Sequence, residues 1–234
     1  MNVAVIPARG GSKRIKQKNI RAFAGQPLIA YSLDAAKRAS LFDDIIVSTD
    51  SEEIARVSLT HGATHIIQRA PELSDDYTGT TPVVQDAIKR YELATGKKTT
   101  RVCCIYATAP FLTASALKKG HDKLVSNANA NFAFSVTSFA FPIQRAIKVA
   151  GSGVEPVFPE HMGKRSQDLE ECYHDAGQFY WGIREAWLDN AGMFKSHSCP
   201  VVLPRHLVQD IDTYEDWHRA ELMYYAYVKR QDDE

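Results

Sequence analysis

Apolar residues along this chain follow two alternating patterns. Residues 2–8, 45–49, 63–68, 101–106 and 132–136 form short, mostly apolar runs. Residues 28–39 and 81–96 instead repeat apolar positions three or four residues apart. Short apolar runs are typical of buried strands, and the longer spacing is typical of amphipathic helices. Because the two patterns alternate, the sequence predicts an α/β fold, with a Rossmann-like, mostly parallel sheet flanked by helices.

Polar residues just ahead of the helical segments predict where the helices begin. Asp50, with Glu53 three residues later, predicts a capping box for a helix that ends near Gly62. Thr113 predicts the cap of a later helix. Thr213 followed by Asp216 predicts a capping box for the last helix of the chain.

Residues 139–172 interrupt the alternation of strands and helices. Prolines and glycines in this stretch rule out a long helix, while its alternating apolar residues allow short strands. The stretch is therefore predicted to protrude from the sheet as an arm. Because no linker rich in proline, glycine or serine divides the chain, we expect one domain over residues 1–234 with residues 139–172 as an insertion.

Composition narrows the classes of function. Lysine plus arginine equals aspartate plus glutamate at 28 each, so the chain lacks the overall positive charge of nucleic-acid-binding proteins, and no nucleic-acid partner is expected. The four cysteines have no C-x-x-C spacing and are predicted to be free thiols. No apolar run approaches membrane-spanning length, and no signal-like segment opens the chain. We therefore expect a cytoplasmic protein without a membrane partner.

A glycine-containing loop with five cations directly follows the first predicted strand. The cations are Arg9, Lys13, Arg14, Lys16 and Lys18. Such a loop is suited to a polyphosphate, because glycine lets backbone N–H groups face the anion and the cations neutralise its charge. Its spacing is neither that of a Walker A loop nor that of a dinucleotide fingerprint. The alternative is a solvated basic turn, but its place at the carboxyl end of a strand favours a ligand site.

Two segments carry a family resemblance. Residues 6–13 and 18–20 resemble the signature of the CMP-sugar synthetases that activate sialic acids and related acidic sugars, and residues 210–217 resemble that family's metal-binding segment. The resemblance implies a cytidylyltransferase that uses CTP, an acidic nine-carbon sugar and Mg²⁺. It implies catalytic roles for Arg9, Lys18, Asp210 and Asp212. The implied CTP-binding residues are Ala8, Arg9, Gly10, Gly11, Ser12, Lys18, Asn19, Arg69 and Thr78.

Asp210 and Asp212 flank a single isoleucine. In an extended segment they project to the same side, which suits Mg²⁺ held by one or two carboxylates and by phosphate oxygens. The residues alone leave helix capping open as an alternative, and an Asp-x-Asp pair also occurs in glycosyltransferases that use sugar nucleotides. The resemblance favours the metal role.

The segment from Gln68 to Ser74, followed by Asp76 and Thr78, resembles the second nucleotide loop of the same family. Arg69 is predicted to meet the cytosine or the ribose. A polar turn capped by Ser74 is the alternative.

Two segments that are expected to bind the sugar differ from the pattern of sialic acid synthetases. Tyr106 stands where sialic acid synthetases typically have glutamine, and residues 173–181 are similar to those that pseudaminic acid cytidylyltransferases carry. We therefore expect pseudaminic acid as the substrate, with Tyr106, Gln178, Tyr180 and Arg165 as sugar-binding residues. The alternatives are N-acetylneuraminate or another nonulosonic acid, and a non-catalytic nucleotide-sugar sensor.

The resemblance also implies a homodimer. The predicted arm carries apolar residues that would otherwise face water, among them Phe141, Val157 and Met162. Family members use a comparable arm to dimerise, which would bring Arg165 to the partner's active site.

Overall fold

A computed structural model describes residues 1–232, with side chains described for residues 1–227. Eleven strands lie within the described residues: β1 (Asn2–Pro7), β2 (Ala22–Phe23), β3 (Gln26–Pro27), β4 (Asp44–Thr49), β5 (His65–Gln68), β6 (Arg101–Ile105), β7 (Phe132–Ser138), β8 (Ile147–Ala150), β9 (Gly153–Pro156), β10 (Tyr173–Ile183) and β11 (Ser198–Val202). The α-helices of the same residues are α1 (Leu28–Ala39), α2 (Glu52–Thr60), α3 (Thr80–Thr95), α4 (Ala114–Ser126), α5 (Arg184–Leu188) and α6 (Tyr214–Asp232). None of these helices combines the length and the apolar character needed to cross a bilayer.

Seven strands form one sheet in the order β11-β7-β10-β6-β1-β4-β5. Neighbouring strands are parallel except at β10, which runs antiparallel to both β6 and β7. The predicted α/β fold with a mostly parallel sheet is therefore confirmed. The antiparallel strand β10 was not foreseen, because its apolar run carries no signal of direction.

Helices cover both faces of the sheet. Helices α1, α2 and α4 pack on one face with Cys103, and α3 and α5 pack on the other with Cys104. The two adjacent cysteines point to opposite faces because side chains alternate along a strand. All four cysteines are free, as predicted.

The chain changes direction across the sheet at β1. It runs from β1 outward to β4 and β5, and then returns to β6 on the other side of β1. In open α/β sheets the crevice at such a reversal, beyond the carboxyl ends of the strands, is where ligands bind. The loops that follow β1 and β6 therefore lie in the expected place for a site.

The cap of α2 differs from the prediction. Ser51, not Asp50, is the N-cap, and its Oγ accepts a hydrogen bond from the Ile54 N–H at 3.4 Å. The Asp50 carboxylate instead accepts the N–H of Gly10 at 2.7 Å. Glu53 accepts from Gln17 at 2.8 Å rather than closing a capping box. Both acidic side chains thus accept hydrogen bonds from the loop after β1. Capping rules consider only nearby residues and do not predict such long-range bonds.

The other two predicted caps are confirmed. Thr113 accepts from the Ala116 N–H at 3.1 Å at the start of α4. At α6, the Asp216 carboxylate accepts the Thr213 N–H at 2.8 Å, and the Thr213 hydroxyl accepts the Asp216 N–H at 3.2 Å. The second arrangement is a reciprocal capping box.

Residues 139–172 leave the main sheet, as predicted. Strands β8 and β9 pair only with each other, as a hairpin whose turn places Gly151 at a φ of +60°, a backbone region that favours glycine. Phe141 and Val149 are each 83% exposed on this arm. The arm therefore presents apolar surface that the single chain does not cover.

Candidate active site

A cavity of about 560 Å³ opens beyond the carboxyl ends of β1 and β6. The loop after β1, the segment before α3 and the turn after β6 form most of its wall. The residues that line it are Pro7, Arg9, Ser12, Lys13, Arg14, Lys18, Asn19, Arg69, Leu73, Asp75, Asp76, Thr78, Gly79, Thr80, Val83, Tyr106, Ala107, Thr108 and Asp212. The fold thus brings together the basic loop, the second predicted nucleotide loop and Tyr106.

Hydrogen bonds hold the backbone of the loop after β1, residues 8–20, in place. The Ala8 N–H donates to the Ser48 carbonyl at 2.9 Å, and the Gly10 N–H donates to Asp50. The Asn19 amide, which is buried, donates to the Arg9 carbonyl at 2.9 Å. These bonds fix the backbone of the loop, and the side chains of Arg9, Lys13, Arg14 and Lys18 line the cavity.

One glycine of this loop has a steric requirement. A Cβ at Gly10 would approach the Ser51 Cβ to 3.1 Å, closer than ordinary contact, whereas a Cβ at Gly11 would meet nothing within 4 Å. Both glycines and Ala8 were predicted to bind CTP. The N–H groups of Ala8 and Gly10 are already used within the protein. The loop residues that line the cavity are Arg9, Ser12, Lys13, Arg14, Lys18 and Asn19.

Four of the five loop cations pair with Asp76 or Asp212. The Arg9 guanidinium donates to the Asp75 carbonyl at 2.6 Å and lies 2.8 Å from the Asp76 carboxylate, which also pairs with Lys13. Chiefly because of Lys13, the pKa of Asp76 lies below its usual range. The Asp76 carboxylate therefore lies between Arg9 and Lys13, where a phosphate group of a ligand could bind instead.

Asp212 holds the second pair of cations. Its carboxylate lies 2.9 Å from the Arg14 guanidinium and 3.3 Å from the Lys18 ammonium. Lys18 also donates to the Ile211 carbonyl at 2.7 Å. Lys18 thereby joins the loop after β1 to the Asp210–Asp212 segment, almost two hundred residues later in the chain.

The pair Asp210 and Asp212 does not cap α6. That role belongs to Thr213, whose hydroxyl accepts the Asp216 N–H, and Asp216 in return accepts the N–H groups of Asp212 and Thr213. Ile211 between the two aspartates is buried among apolar residues, so the backbone is anchored at that point. Asp210 is exposed as a residue, but desolvation of its carboxyl by neighbouring groups and the negative charge of Asp212 raise the pKa of that carboxyl. Asp212 lines the cavity, whereas Asp210 is not among the lining residues. Two neighbouring carboxylates that repel each other suit a cation.

Arg69 is built into the wall of the cavity. Its guanidinium is buried and donates to the Ser48 carbonyl at 2.6 Å and to the Ser48 hydroxyl at 3.2 Å. Burial lowers the pKa of this guanidinium, and Asp50 opposes the effect. The Ser74 hydroxyl donates to the Ala70 carbonyl at 3.0 Å, which closes the polar turn of the alternative hypothesis. The two alternatives for this segment are therefore compatible. Arg69 and Thr78 line the cavity, and Ser74 stabilises the polar turn between them.

The predicted sugar-binding residues are found in different environments. Tyr106 lines the cavity. Gln178 and Tyr180 are buried on β10, where the Gln178 amide donates to the Leu207 carbonyl at 2.5 Å and the Tyr180 hydroxyl donates to Asp175 at 2.6 Å. Arg165 lies on the exposed arm and pairs with Asp168 at 2.7 Å. Of these four residues, the structure brings only Tyr106 to the cavity of the same chain.

The structure adds cavity residues that sequence reasoning did not assign. Lys13 and Arg14 were recognised as loop cations without individual roles, and Asp76 was quoted only as part of a motif. Thr80 is the first residue of α3. A threonine at that place predicts the start of a helix but does not indicate a binding role.

Comparison with known proteins identifies relatives over nearly the whole chain. A family model described as cytidylyltransferase matches residues 3–178. A pseudaminic acid cytidylyltransferase of Campylobacter jejuni is 46% identical over 224 residues, covering 95% of this chain and 96% of that protein. An N-acylneuraminate cytidylyltransferase of Streptococcus agalactiae is 28% identical over 233 residues, covering 98% of this chain and 55% of that protein.

Solved structures share the fold at low sequence identity. A CMP:2-keto-3-deoxy-manno-octonic acid synthetase complexed with CTP aligns with a TM-score of 0.70 at 12% identity, covering 97% of this chain and 99% of that one. The family model spans most of the chain, and the Campylobacter relative is well above 30% identical. On these two findings, the chain is a member of the cytidylyltransferase family.

Proposed function

We propose that this enzyme transfers CMP from CTP to pseudaminic acid and releases pyrophosphate. The observation that carries the proposal is the convergence of Arg9, Lys13, Arg14 and Lys18 on one cavity at the crossover between β1 and β6. A nucleoside triphosphate and a departing pyrophosphate are the ligands that need such dense positive charge. The 46% identity to a pseudaminic acid cytidylyltransferase supports the choice of nucleotide and sugar.

The reaction is a displacement at phosphorus. The anomeric hydroxyl of the sugar attacks the α-phosphorus of CTP, the bond from that phosphorus to the bridging oxygen breaks, and pyrophosphate leaves with the electron pair. Arg9 and Lys18 neutralise charge on the phosphate oxygens, and Ser12 and Asn19 position the nucleotide. Catalysis then rests on alignment and charge neutralisation, since phosphoryl-type transfer needs little covalent participation by the protein.

We propose that Asp210 and Asp212 hold Mg²⁺. Among the described residues there is no group of three or more His, Cys, Asp or Glu side chains that could form a protein-only metal site. Two carboxylates fit Mg²⁺, which keeps several waters and completes its shell with phosphate oxygens. A bound ion would supply positive charge to the phosphates of CTP. It would also offset the desolvation and the repulsion by Asp212 that together raise the pKa of Asp210.

The proposed nucleotide specificity is tested by pyrophosphate release. With pseudaminic acid and Mg²⁺, we expect release from CTP and at most slow release from UTP, ATP and GTP. Binding of CTP by calorimetry without release of pyrophosphate would contradict the proposal and favour a non-catalytic nucleotide-sugar sensor.

Asp76 is expected to compete with the triphosphate for Arg9 and Lys13. The change Asp76→Asn removes that intramolecular anion, and we predict a Kd for CTP lower by about two- to fivefold, in keeping with an exposed ion pair. Isothermal titration calorimetry at fixed ionic strength measures the change. Asp75→Asn is the matched control, because Asp75 accepts the N–H groups of Tyr77 and Thr78 and shapes the same loop. Weaker CTP binding by Asp76→Asn would show that Asp76 positions the cations instead.

We propose that a second copy of the chain covers the arm, where Arg165 would reach the partner's site. The support is the exposed apolar surface of residues 139–172, too large to remain in water. We predict a dimeric mass by light scattering at micromolar concentration. Val149→Lys on β8 is expected to shift the mass toward the monomer, whereas Leu93→Lys on α3, also at an exposed site, should not. A fully active monomer of the unmodified chain would contradict the proposal.

A further inference from the structure

Side chains from other elements hold the backbone of residues 203–211 at three carbonyls, spaced four residues apart. The donors and acceptors are Thr137 with Leu203 at 2.9 Å, Gln178 with Leu207 at 2.5 Å and Lys18 with Ile211 at 2.7 Å. The Leu203 N–H also donates to the Val136 carbonyl at 2.8 Å, so this end of the segment is fixed to the sheet. The other end carries Asp210 and Asp212. The middle bond therefore sets the path of the chain from the sheet to the two aspartates.

Gln178 makes this middle bond from a buried position. The residue is 4% exposed, and its Nε2 donates to the Leu207 carbonyl. The Arg205 guanidinium also links this stretch to another part of the chain, at the Phe139 carbonyl, but that contact is exposed and 3.4 Å long. The bond from Gln178 is the shorter of the two and comes from the better-ordered surroundings of a buried strand.

A bulge in β10 places Gln178 for this contact. The pairing of β10 with β7 shifts between Asp175 and Tyr180, so that residues 176–179 of β10 stand opposite Ser135. The buried Ser135 hydroxyl accepts the Gln178 N–H and the N–H of the next residue, at 3.3 Å each. Bulges redirect side chains and are frequent next to active sites. The irregular pairing thus occurs where the Gln178 side chain reaches the Leu207 carbonyl.

The backbone of Gln178 lies beside the cavity wall. The Tyr106 N–H donates to the Gln178 carbonyl at 2.9 Å, which continues the pairing of β10 with β6. Tyr106 lines the cavity. One backbone bond and one side-chain bond of Gln178 therefore connect the wall at Tyr106 with the segment that leads to Asp210.

Stability does not explain a glutamine at this position. The Oε1 atom of Gln178 is buried and has no hydrogen-bond partner among the described residues. A buried acceptor without a partner is unfavourable, and a methionine of similar length would avoid that cost. The Nε2 atom, in contrast, has its partner in the Leu207 carbonyl. The side chain is therefore better explained by the placement of Leu207 than by its contribution to the core.

We propose that Gln178 is a positioning residue that holds the segment of Asp210 and Asp212 in place relative to the cavity wall at Tyr106. The inference rests on the proposed function and adds to it the residue that aligns the metal-binding carboxylates with the sugar side of the site. Displacement at phosphorus depends on alignment, and a misplacement of about 1 Å can lower its rate about 100-fold. Loss of this one bond is therefore expected to affect turnover.

Hydrogen exchange measures how firmly the segment is held, independently of activity. Several N–H groups of residues 205–213 are hydrogen-bonded, namely those of Leu207, Val208, Asp212 and Thr213. Exchange of this stretch, followed by mass spectrometry, reports its local opening. Gln178→Met retains the length of the side chain and removes the donor. We expect exchange of residues 205–213 in this variant to be at least about tenfold faster than in the unmodified enzyme.

Kinetic constants of Gln178→Met connect the segment with catalysis. We expect kcat to fall at least about tenfold, and the Mg²⁺ concentration that gives half-maximal rate to rise about tenfold, as for the loss of a group that orients metal ligands. The KM for pseudaminic acid should stay within about twofold, because this role of Gln178 involves no contact with the sugar. Gln178→Asn has an amide one methylene shorter and is expected to show the same changes.

Thr137→Val is the matched control. It removes a bond of the same type, from a buried side chain to the Leu203 carbonyl, at a point where the Leu203 N–H keeps the chain on the sheet. We expect a lower melting temperature, with the exchange of residues 205–213 and the Mg²⁺ dependence unchanged. Melting temperatures also identify any variant that fails to fold, and Gln178→Asn keeps the test available if Gln178→Met does so.

Two outcomes would overturn the inference. Unchanged exchange in both Gln178 variants would show that the bond does not hold the segment, and a raised sugar KM in the same variants would mean that Gln178 contacts the sugar instead. Faster exchange with unchanged kcat and Mg²⁺ dependence would show that the bond holds the segment without affecting the site. An unmodified enzyme that releases no pyrophosphate would overturn the proposed function, whatever the exchange of residues 205–213.

Discussion

Replacing Asp210 by alanine is expected to lower turnover at least about 100-fold while the protein remains folded. The loss of a charge that acts on the transferring phosphate is typically of this size. The side chain of Asp210 is exposed and makes no contribution to the core, so the melting temperature should change little. Pyrophosphate release over a Mg²⁺ titration measures the effect, and we expect a loss of Mg²⁺ dependence as well as of rate.

The control for this prediction separates metal binding from helix capping. Asp216 completes the capping box of α6 with Thr213, because it accepts the N–H groups of Asp212 and Thr213. We expect Asp216→Ala to lower the free energy of unfolding by about 1 kcal/mol, as for an ordinary N-terminal cap, with most of the turnover retained. If Asp210→Ala kept the activity of the unmodified enzyme at every Mg²⁺ concentration, the metal role would be wrong.

Replacing Lys18 by methionine is expected to lower kcat/KM for CTP by at least about 100-fold. Methionine keeps most of the apolar stem and removes the ammonium group. That group is proposed to neutralise the triphosphate, and it also joins the two loops through the Ile211 carbonyl and Asp212. Both the charge and the alignment of the loops are lost together, which is why the predicted effect is large.

Lys16→Met is the matched control for Lys18→Met. Lys16 belongs to the same loop and is exposed, but it lies outside the set of residues that line the cavity. We expect its kcat/KM for CTP to stay within about twofold of the unmodified value, because an exposed charge outside the cavity lining is screened by salt. Equal losses in the two variants would mean that the loop acts through its total charge rather than through Lys18.

The fold was predictable because its signals are local and repeated. Apolar periodicity placed α1 at its observed residues, and the reciprocal pair Thr213 and Asp216 marked the start of α6. The cap of α2 was not predictable, because Asp50 forms its hydrogen bond with Gly10, forty residues earlier. Rules based on nearby residues do not predict that a side chain will bind a backbone group far away in the sequence.

The candidate site was predictable in its loops and less so in its individual contacts. The glycine-containing basic loop and the Asp-x-Asp segment indicated the nucleotide side because their residue types restrict the chemistry. Tyr180 was expected to bind the sugar, but the structure buries it behind Tyr106. An aromatic run on a strand gives no sign of which ring reaches a cavity, and the ion pairs of Asp76 depend on two loops meeting in space.

The central claim is that this cytidylyltransferase is built for pseudaminic acid, with Tyr106 as part of the wall that meets the sugar. A mismatched hydroxyl left unpaired against that wall would cost about 1–3 kcal/mol, which is tenfold or more in specificity. The most direct measurement is kcat/KM for pseudaminic acid and for N-acetylneuraminic acid, side by side with saturating CTP. We predict a value at least about tenfold higher for pseudaminic acid, and equal values or a preference for N-acetylneuraminic acid would contradict the claim.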